Sequence, residues 1–341
     1  MKYIVVTGGA GYIGSHTIAE IVTHTPYAVI SIDNYSNAYK EVYQKLQQLT
    51  PKTIIPIEVD LCQKESLFQA LEPYQKDIHG ILHFAAYKSV PESEEQPFKY
   101  YHNNLLSLLH ITEFACRNNI QNIIFSSSCS VYGDIKTSPV TETTPLPSPS
   151  SVYAHTKQIG ESILHQLTHS AQWPLKIYAL RYFNPIGAHP SGYIGEFPRY
   201  NLTGLVPNII RAALRKIPAL EVYGQNYNTK DGTAIRDYVH VSDIARAHVL
   251  AMQYLDKITD PVFYDVLNLG TGKGNTVLEV IQTFEKVNHV KVPYKIVDRR
   301  KGDVEAIFAN HDKAQKILNW KLEYTLEDML RTAWQWGKDK Y

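Results

Sequence analysis

The sequence predicts an α/β protein built on a doubly wound parallel sheet, with a smaller, less regular C-terminal lobe. Three observations predict it. From Tyr3 to Leu180, short runs rich in Ile and Val alternate with longer stretches that read as helix. A glycine-rich loop follows the first of those runs immediately. After Arg181 the texture changes, and residues 184–236 carry many Pro, Gly, Tyr and Asn with little regular period.

The apolar runs Tyr3-Ile-Val-Val, Ala28-Val-Ile-Ser-Ile, Thr53-Ile-Ile-Pro-Ile, Ile81-Leu-His-Phe and Asn122-Ile-Ile-Phe read as strands covered on both faces. Strands alternating with helices imply βαβ units, hence a parallel sheet with helices on both sides and a ligand crevice at the carboxyl ends of its strands. The strand-and-helix texture returns at Asp237 to Leu255 and at Val266-Leu-Asn-Leu. The expected division is therefore discontinuous: residues 1–183 and 237–272 form the first lobe, residues 184–236 and 273–341 the second. Thr143 to Ser151, rich in Pro and Ser, reads as a loop ending in a helix cap.

Bulk properties narrow the function. At 341 residues and 44% hydrophobic, the chain can bury a large core in about two domains. Thirty-four basic against thirty-three acidic side chains leave a formal charge of +1, so the basic field that attracts nucleic acid or anionic membranes is missing. Cys62, Cys116 and Cys129 stand far apart with no CxxC pair, which argues against a disulfide framework or structural zinc and fits a reducing cytoplasm. Met1-Lys2 leads straight into a strand-like run, without the apolar segment of a signal peptide. No stretch approaches the ~20 apolar residues of a membrane helix, so a soluble protein is expected.

The loop Thr7-Gly8-Gly9-Ala10-Gly11-Tyr12-Ile13-Gly14 carries the first chemical signal. A turn this tight needs residues without Cβ, and a backbone can approach a pyrophosphate only where side chains are absent, while the following helix supplies N–H groups. Both GxGxxG (Gly9, Gly11, Gly14) and GxxGxxG (Gly8, Gly11, Gly14) can be read here. Asp33 ends the second strand nineteen residues after Gly14, close to the ~20 at which an acid takes the adenosine ribose hydroxyls of a dinucleotide. An Asp there repels a 2′-phosphate, so NAD is favoured over NADP as cofactor in a Rossmann-type sheet.

The second signal is a hydroxyl, a phenol and an ammonium. Ser126-Ser127-Ser128 ends a strand, and Tyr153-Ala154-His155-Thr156-Lys157 follows on a helix-like segment. Positions i and i+4 share a helix face, so Tyr153 and Lys157 point together, with Ser128 approaching from the strand end. A phenol of pKa ≈ 10 is a poor base at pH 7; a neighbouring ammonium and an oxidised nicotinamide both favour its ionised form. YxxxK alone is a common accident on exposed helices, and the glycine loop with the serine strand end is what lifts it above one.

TGGAGYIGSH, SSSCSVYGD, YAHTK and LRYFNPIGAHPSG together resemble the extended short-chain dehydrogenases, and the last of them is similar to the UDP-hexose 4-epimerases of that family. The similarity continues through DGTAIRDYVHV, VLNLGTGKGNTVLEV and RRKGDVEAIFA. The resemblance implies an NAD site lined by Gly8, Gly11, Tyr12, Ile13, Gly14, Asp33, Asn34, Asp60, Leu61, Phe84, Ala85, Ala86, Lys88, Asn103 and Phe183. Ser128, Tyr153 and Lys157 would be the catalytic set and would also touch the cofactor. Lys88, Ser128, Tyr153, Asn184, Leu205, Tyr223, Arg236, Arg300, Asp303 and Ile307 would meet the UDP-sugar, two arginines suiting a diphosphate. The first lobe would hold NAD and the second the sugar nucleotide. UDP-glucose and UDP-galactose are the implied ligands, interconverted through a 4-keto sugar by a homodimer joined through Pro97 to Asn118 and Val152 to Ser170.

Rival readings stay open. Related dehydratases carry an acidic pair just after the strand-end hydroxyl, where this chain has Cys129 and Ser130. Gly204 stands where many relatives have Asn, and Ile307 stands at a position implied to gate bulky N-acetyl sugars, so a UDP-N-acetylglucosamine or dual-specificity epimerase is the alternative. A non-catalytic dinucleotide sensor is a reading from another class. No metal site is expected: His165 and His169 lack the HExxH carboxylate and read as a solvated face. Gly270-Thr-Gly-Lys-Gly-Asn lacks phosphate-loop spacing and reads as a turn, and Trp334 and Trp336 read as anchors of the last helix.

Overall fold

The computed structural model describes residues 1–135, 137–170, 172–197, 204–300 and 303–341. Its first half runs β1 (Tyr3–Thr7), α1 (Tyr12–His24), β2 (Ala28–Asp33), α2 (Val42–Leu49), β3 (Ile54–Glu58), α3 (Lys64–Leu71), β4 (Ile78–His83), α4 (Val90–Glu95), α5 (Pro97–Arg117), β5 (Asn122–Ser128) and α6 (Val152–Thr168). There follow β6 (Lys176–Tyr182), β7 (Asn184–Ile186), α7 (Leu205–Ala213), β8 (Leu220–Tyr223), β9 (Ile235–His240), α8 (Val241–Leu255), β10 (Phe263–Leu269), β11 (Gly274–Thr276), α9 (Val277–Asn288), β12 (Tyr294–Val297), β13 (Ala306–Ile307), α10 (Asp312–Leu318) and α11 (Leu326–Gly337).

Seven strands form one parallel sheet in the order β3-β2-β1-β4-β5-β6-β10. The central strands are apolar along their length because helices cover both faces. On one face, Ile18 and Val22 of α1, Leu46 of α2, Ala247 and Ala251 of α8 and Leu318 of α10 join a core with Val6, Val29 and Ile124. On the other, Leu67 of α3, Leu108, Ile111 and Phe114 of α5 and Leu164 of α6 pack against Val5, Ile30 and Ile123. Each fully buried Leu, Ile or Phe contributes about 1.5–3 kcal/mol by removal from water, so the two layers supply most of the attraction that holds the sheet. Pro56, within the expected third strand, is tolerated because β3 is an edge strand that owes no second ladder of hydrogen bonds.

The order reverses at β1, whose neighbours β2 and β4 lead outward in opposite directions. The crevice of such a sheet opens there, at the carboxyl ends of the strands. Thr7, Asp33, His83, Ser128 and Tyr182 are the last residues of β1, β2, β4, β5 and β6, so the motifs picked out in the sequence fall along one rim.

A smaller assembly stands opposite that rim. β9 pairs with β11, β13 and β7, while β8 and β12 form a two-stranded ribbon. Its core gathers α7, α9 and α11 through Ile209, Ile210, Val280, Phe284, Met329 and Leu330. Both α9 and α11 open with reciprocal capping pairs, Thr276 with Glu279 and Thr325 with Asp328. The sequence places the return to the large sheet at Asp237, but Asp237 to His240 complete β9 in the small sheet, and it is α8 that lies on the large one. Asp237 is fully buried, its carboxylate accepting from the backbone N–H groups of Thr271, Gly272 and Ala309. It thereby pins the turn after β10 and the strand end after β13 to β9. Among the described residues no helix is long and apolar enough to cross a membrane.

Candidate active site

A cleft of about 1380 Å³ runs between the strand rim and the smaller assembly. It exceeds the ~300–1,000 Å³ of common small-molecule sites and suits a dinucleotide together with a second ligand.

One half is built by the glycine loop. Gly8 has φ +71, a conformation L side chains rarely adopt, and a Cβ there would stand 2.8 Å from the Ala85 nitrogen. A Cβ at Gly14 would reach 2.3 Å from the Gly8 carbonyl oxygen. Gly8, Gly11 and Gly14 line the cleft, whereas a Cβ on Gly9 would strike the Ser31 hydroxyl behind the loop; of the two glycine patterns, GxxGxxG is the one facing the cavity. Gly11 caps α1 without a side-chain acceptor, so the N–H groups of the first turn keep their capacity for an anionic ligand. Asp33 is buried at the end of β2, accepting from Ala10 N at 3.0 Å and Tyr35 N at 2.8 Å. Burial raises its carboxyl above the ordinary value, and those N–H bonds draw it back down. Tyr12, Ile13, Asn34, Asp60, Leu61, Phe84, Ala85, Ala86, Lys88, Asn103 and Phe183 lie along the same walls. The residues present fit a dinucleotide: a cradle that any Cβ would fill, a helix start without its own acceptor, and a carboxylate at the next strand end.

Ser128, Tyr153 and Lys157 all line the cleft. Ser128 closes β5 and its hydroxyl accepts from Ser130 N at 3.2 Å and Ser130 Oγ at 3.0 Å. Tyr153 and Lys157 lie one turn apart on α6, which begins at the expected cap: Ser151 Oγ accepts from Ala154 N at 3.1 Å. The electrostatics differ from the expectation. Lys157 Nζ donates to the Ser126 carbonyl at 2.7 Å and stands 5.0 Å from the Phe125 ring centre, against 5.9 Å from that of Tyr153. Burial lowers its ammonium to about 8, opposed by Glu161. Burial pushes the Tyr153 phenol well above 10, the neighbouring Tyr182 adds to this, and the Ser128 hydroxyl pulls it back. The chain's own groups thus leave the phenol protonated at neutral pH, because desolvation outweighs the nearby donors.

The other half of the cleft is polar and cationic. Arg236, at the start of β9, pairs with Asp303 and donates from its other Nη to Ile235 O at 2.7 Å. Arg300 lies over the Tyr223 ring at 3.8 Å, and the Tyr223 hydroxyl donates to Glu221 at 2.9 Å. Leu205 lines the same wall, as does Asn184, whose Oδ1 is buried and has no hydrogen-bond partner among the described residues. The two arginines are therefore held apart by separate partners. Ile307 is not among the residues that line the cleft: it is 5% exposed and packs in one cluster with Val131, Tyr132, Val140, Phe183 and Ala309. Sequence spacing could not show this burial. Gly204 does line the wall, and a Cβ there would sit 3.8 Å from the Glu196 carboxylate.

Several cleft residues were not singled out in the sequence. Ser126 and Tyr182 meet through their hydroxyls on the cleft wall. Glu196 bridges to Lys88 at 3.2 Å across the opening; its one signal was being the sole acid between Tyr182 and Gly204. His165 and His169 pack ring against ring at 4.4 Å, and among the described residues no cluster of three or more His, Cys, Asp or Glu could hold a metal ion.

Comparisons with known proteins agree with this arrangement. Residues 4–270 match the model of the NAD dependent epimerase/dehydratase family. A UDP-glucose 4-epimerase of Bacillus subtilis is 42% identical over 333 residues, 98% of this chain and 96% of the relative. A Stenotrophomonas maltophila UDP-glucose 4-epimerase solved with NAD and formylated UDP-arabinopyranose superimposes with a TM-score of 0.93 at 37% identity, over 99% of this chain and 98% of that one. A Bifidobacterium longum UDP-glucose 4-epimerase solved with NAD+ and UDP gives 0.92 at 39% identity, with the same coverage. With the glycine cradle, the seven-stranded sheet and end-to-end similarity in hand, the chain belongs to the NAD dependent epimerase/dehydratase family.

Proposed function

We propose that this chain is a UDP-glucose 4-epimerase that interconverts UDP-galactose and UDP-glucose through a 4-keto sugar, with NAD held tightly. The observation that carries the reading is that Ser128, Tyr153 and Lys157 line the same cleft as the glycine loop, Arg236 and Arg300. The residues lining the first half would hold NAD, which when bound would supply a hydride acceptor and donor at carbon 4′ of the sugar. Lys88, Asn184, Leu205, Tyr223, Arg236, Arg300 and Asp303 would hold the UDP-sugar.

The chain's own groups do the proton work. Tyr153 would take the proton of the 4′-hydroxyl and return it, while Ser128 shares that oxygen and favours the ionised phenol. Because burial holds the phenol protonated, the ionised form needs a further positive charge, which oxidised NAD carries. Lys157 adds its ammonium from the Ser126 carbonyl. The buried Asn184 Oδ1, without a partner among the described residues, can accept a hydrogen bond from a ligand. The expected NAD lobe, 1–183 and 237–272, would then lose Asp237 to His240 of β9 to the UDP-sugar lobe and gain α10 from it, leaving the rest of 184–236 and 273–341 to the UDP-sugar. Phe98, 87% exposed, and Leu109 on α5 supply apolar surface for a homodimer joined through α5 and α6. Three unpaired cysteines suit a reducing cytoplasm.

The absence of a side chain at Gly204 on the cleft wall, with Ile307 buried away from it, favours a second reading in which UDP-N-acetylglucosamine is also accepted. The test is incubation of the purified chain with UDP-galactose and no added NAD. Formation of UDP-glucose supports the reading, and UDP-N-acetylglucosamine in parallel decides the second. Binding without conversion would leave a dinucleotide sensor instead.

A further inference from the structure

The first turn of α6, which carries Tyr153, is fastened from outside its own helix. Ser151 Oγ accepts from Ala154 N at 3.1 Å and Ser151 O from His155 N at 2.9 Å. The two remaining free donors of that turn go to α4: Val152 N to Glu94 Oε1 at 2.8 Å, and Tyr153 N to Ser93 Oγ at 3.2 Å. Ser93 is fully buried, and its hydroxyl proton is spent on Val90 O at 2.7 Å, which leaves its lone pairs for the Tyr153 amide. Helix α6 already has a cap of its own, so the Ser93 bond is not needed to start the helix. What it adds is a fixed relation between α4 and the backbone of Tyr153.

The helix α4 is itself tied to the cleft. It begins two residues after Lys88, and Ser89 N donates to the hydroxyl of the fully buried Tyr100, which donates in turn to Glu92 of α4 at 2.9 Å. Lys88 and Tyr153 are thus referenced to one six-residue helix.

We propose that Ser93 is a positioning residue for the reaction: its hydroxyl fixes the Tyr153 backbone, and so holds the phenol against Ser128 in register with the Lys88 loop. The inference rests on the reading of Tyr153 as the proton-transfer group. Glu94 does the same for Val152 from an exposed position, where water can replace it; at Ser93 water cannot enter, so the loss falls there.

The test uses the full chain with its bound NAD and compares Ser93→Ala, Ser93→Cys and Tyr153→Phe with the parent, reading kcat, KM, the pH dependence of kcat and the melting temperature. Cysteine keeps the volume but is a weak acceptor. The expected result for Ser93→Ala is a kcat lower by about tenfold or more at temperatures far below melting, with KM within about twofold, since a misplacement of about 1 Å is enough for such a loss. Its acid limb should move to higher pH, because a phenol displaced from Ser128 loses the bond that favours ionisation. Ser93→Cys should fall between Ala and the parent. Parental kcat and pH dependence in Ser93→Ala would overturn the proposal, as would a loss that only follows the folded fraction; if the alanine variant does not fold, parental behaviour of Ser93→Cys overturns it. A fully active Tyr153→Phe would remove the underlying reading, whereas an inactive Tyr153→Phe beside an unaffected Ser93→Ala would remove this inference alone.

Discussion

Behind the serine strand end lies a buried ion pair whose removal has a calculable cost. Glu161 of α6 accepts from Arg181 Nε at 2.9 Å, from Arg181 Nη2 at 2.6 Å and from Ser127 Oγ, and the Arg181 guanidinium also donates to Tyr132 Oη at 3.0 Å. The two side chains are 5% and 7% exposed, so solvent screens neither. Glu161→Ala deletes three accepted bonds at once and leaves a guanidinium buried without its counter-charge, which costs about 3–5 kcal/mol. At ~2.1 cal/mol/K per residue of unfolding entropy, 341 residues give roughly 0.7 kcal/mol/K. The variant should therefore melt about 4–7 °C below the parent by calorimetry, with a matching fall in the urea midpoint. Glu161→Leu combined with Arg181→Met removes both charges and should lose less than Glu161→Ala alone, since the desolvation cost vanishes with the attraction. A Glu161→Ala chain within about 1 kcal/mol of the parent, or a double variant less stable than it, would refute the argument.

Tyr153→Phe should lower kcat by about a hundredfold or more, measured as UDP-galactose conversion, while the melting curve stays close to the parent's. Gly14→Ala drives a Cβ to 2.3 Å from the Gly8 carbonyl; the purified variant should carry little NAD, read by extraction and absorbance, and retention of a full complement would contradict the cradle. Glu20 and Asp243 are both raised to about 7 in the folded chain, by burial first in each case. Their folded pKa values lie above the unfolded ones, so the native state binds more protons across that window and stability should fall as pH rises from about 4 to about 7, then level off. Urea midpoints at pH 5 and pH 7.5 measure this, and the Glu20→Gln/Asp243→Asn variant should show a flatter profile.

The sheet and its rim were legible because they rest on local rules. Buried parallel strands must be continuously apolar, a loop under a phosphate must lack Cβ atoms, and i, i+4 spacing puts Tyr153 and Lys157 on one helix face. The parallel sheet and the positions of Thr7, Asp33 and Ser128 at its strand ends follow from those rules. What could not be read were relations across sequence distance. Nothing in the spacing shows that Lys157 turns toward Ser126, that Ile307 is buried with Val131 and Val140, or that Ser93 meets a backbone amide sixty positions away. The assignment of Asp237 to the wrong sheet has the same origin, because a short strand before a helix looks alike in either sheet and only its partners, β7, β11 and β13, decide.

The chain passes between the two layers of core five times, from β6 into β7, from β9 into α8, from β10 into β11, from β13 into α10 and from α10 into α11, and at the third of these Asp237 clasps the incoming backbone. Neither half can therefore be cut out as a continuous piece of polypeptide. A chimera that exchanged the ligand-facing wall with a relative's would need compatible seams at all five passages, and grafting single loops onto an otherwise intact chain is the more promising way to alter which sugar it takes.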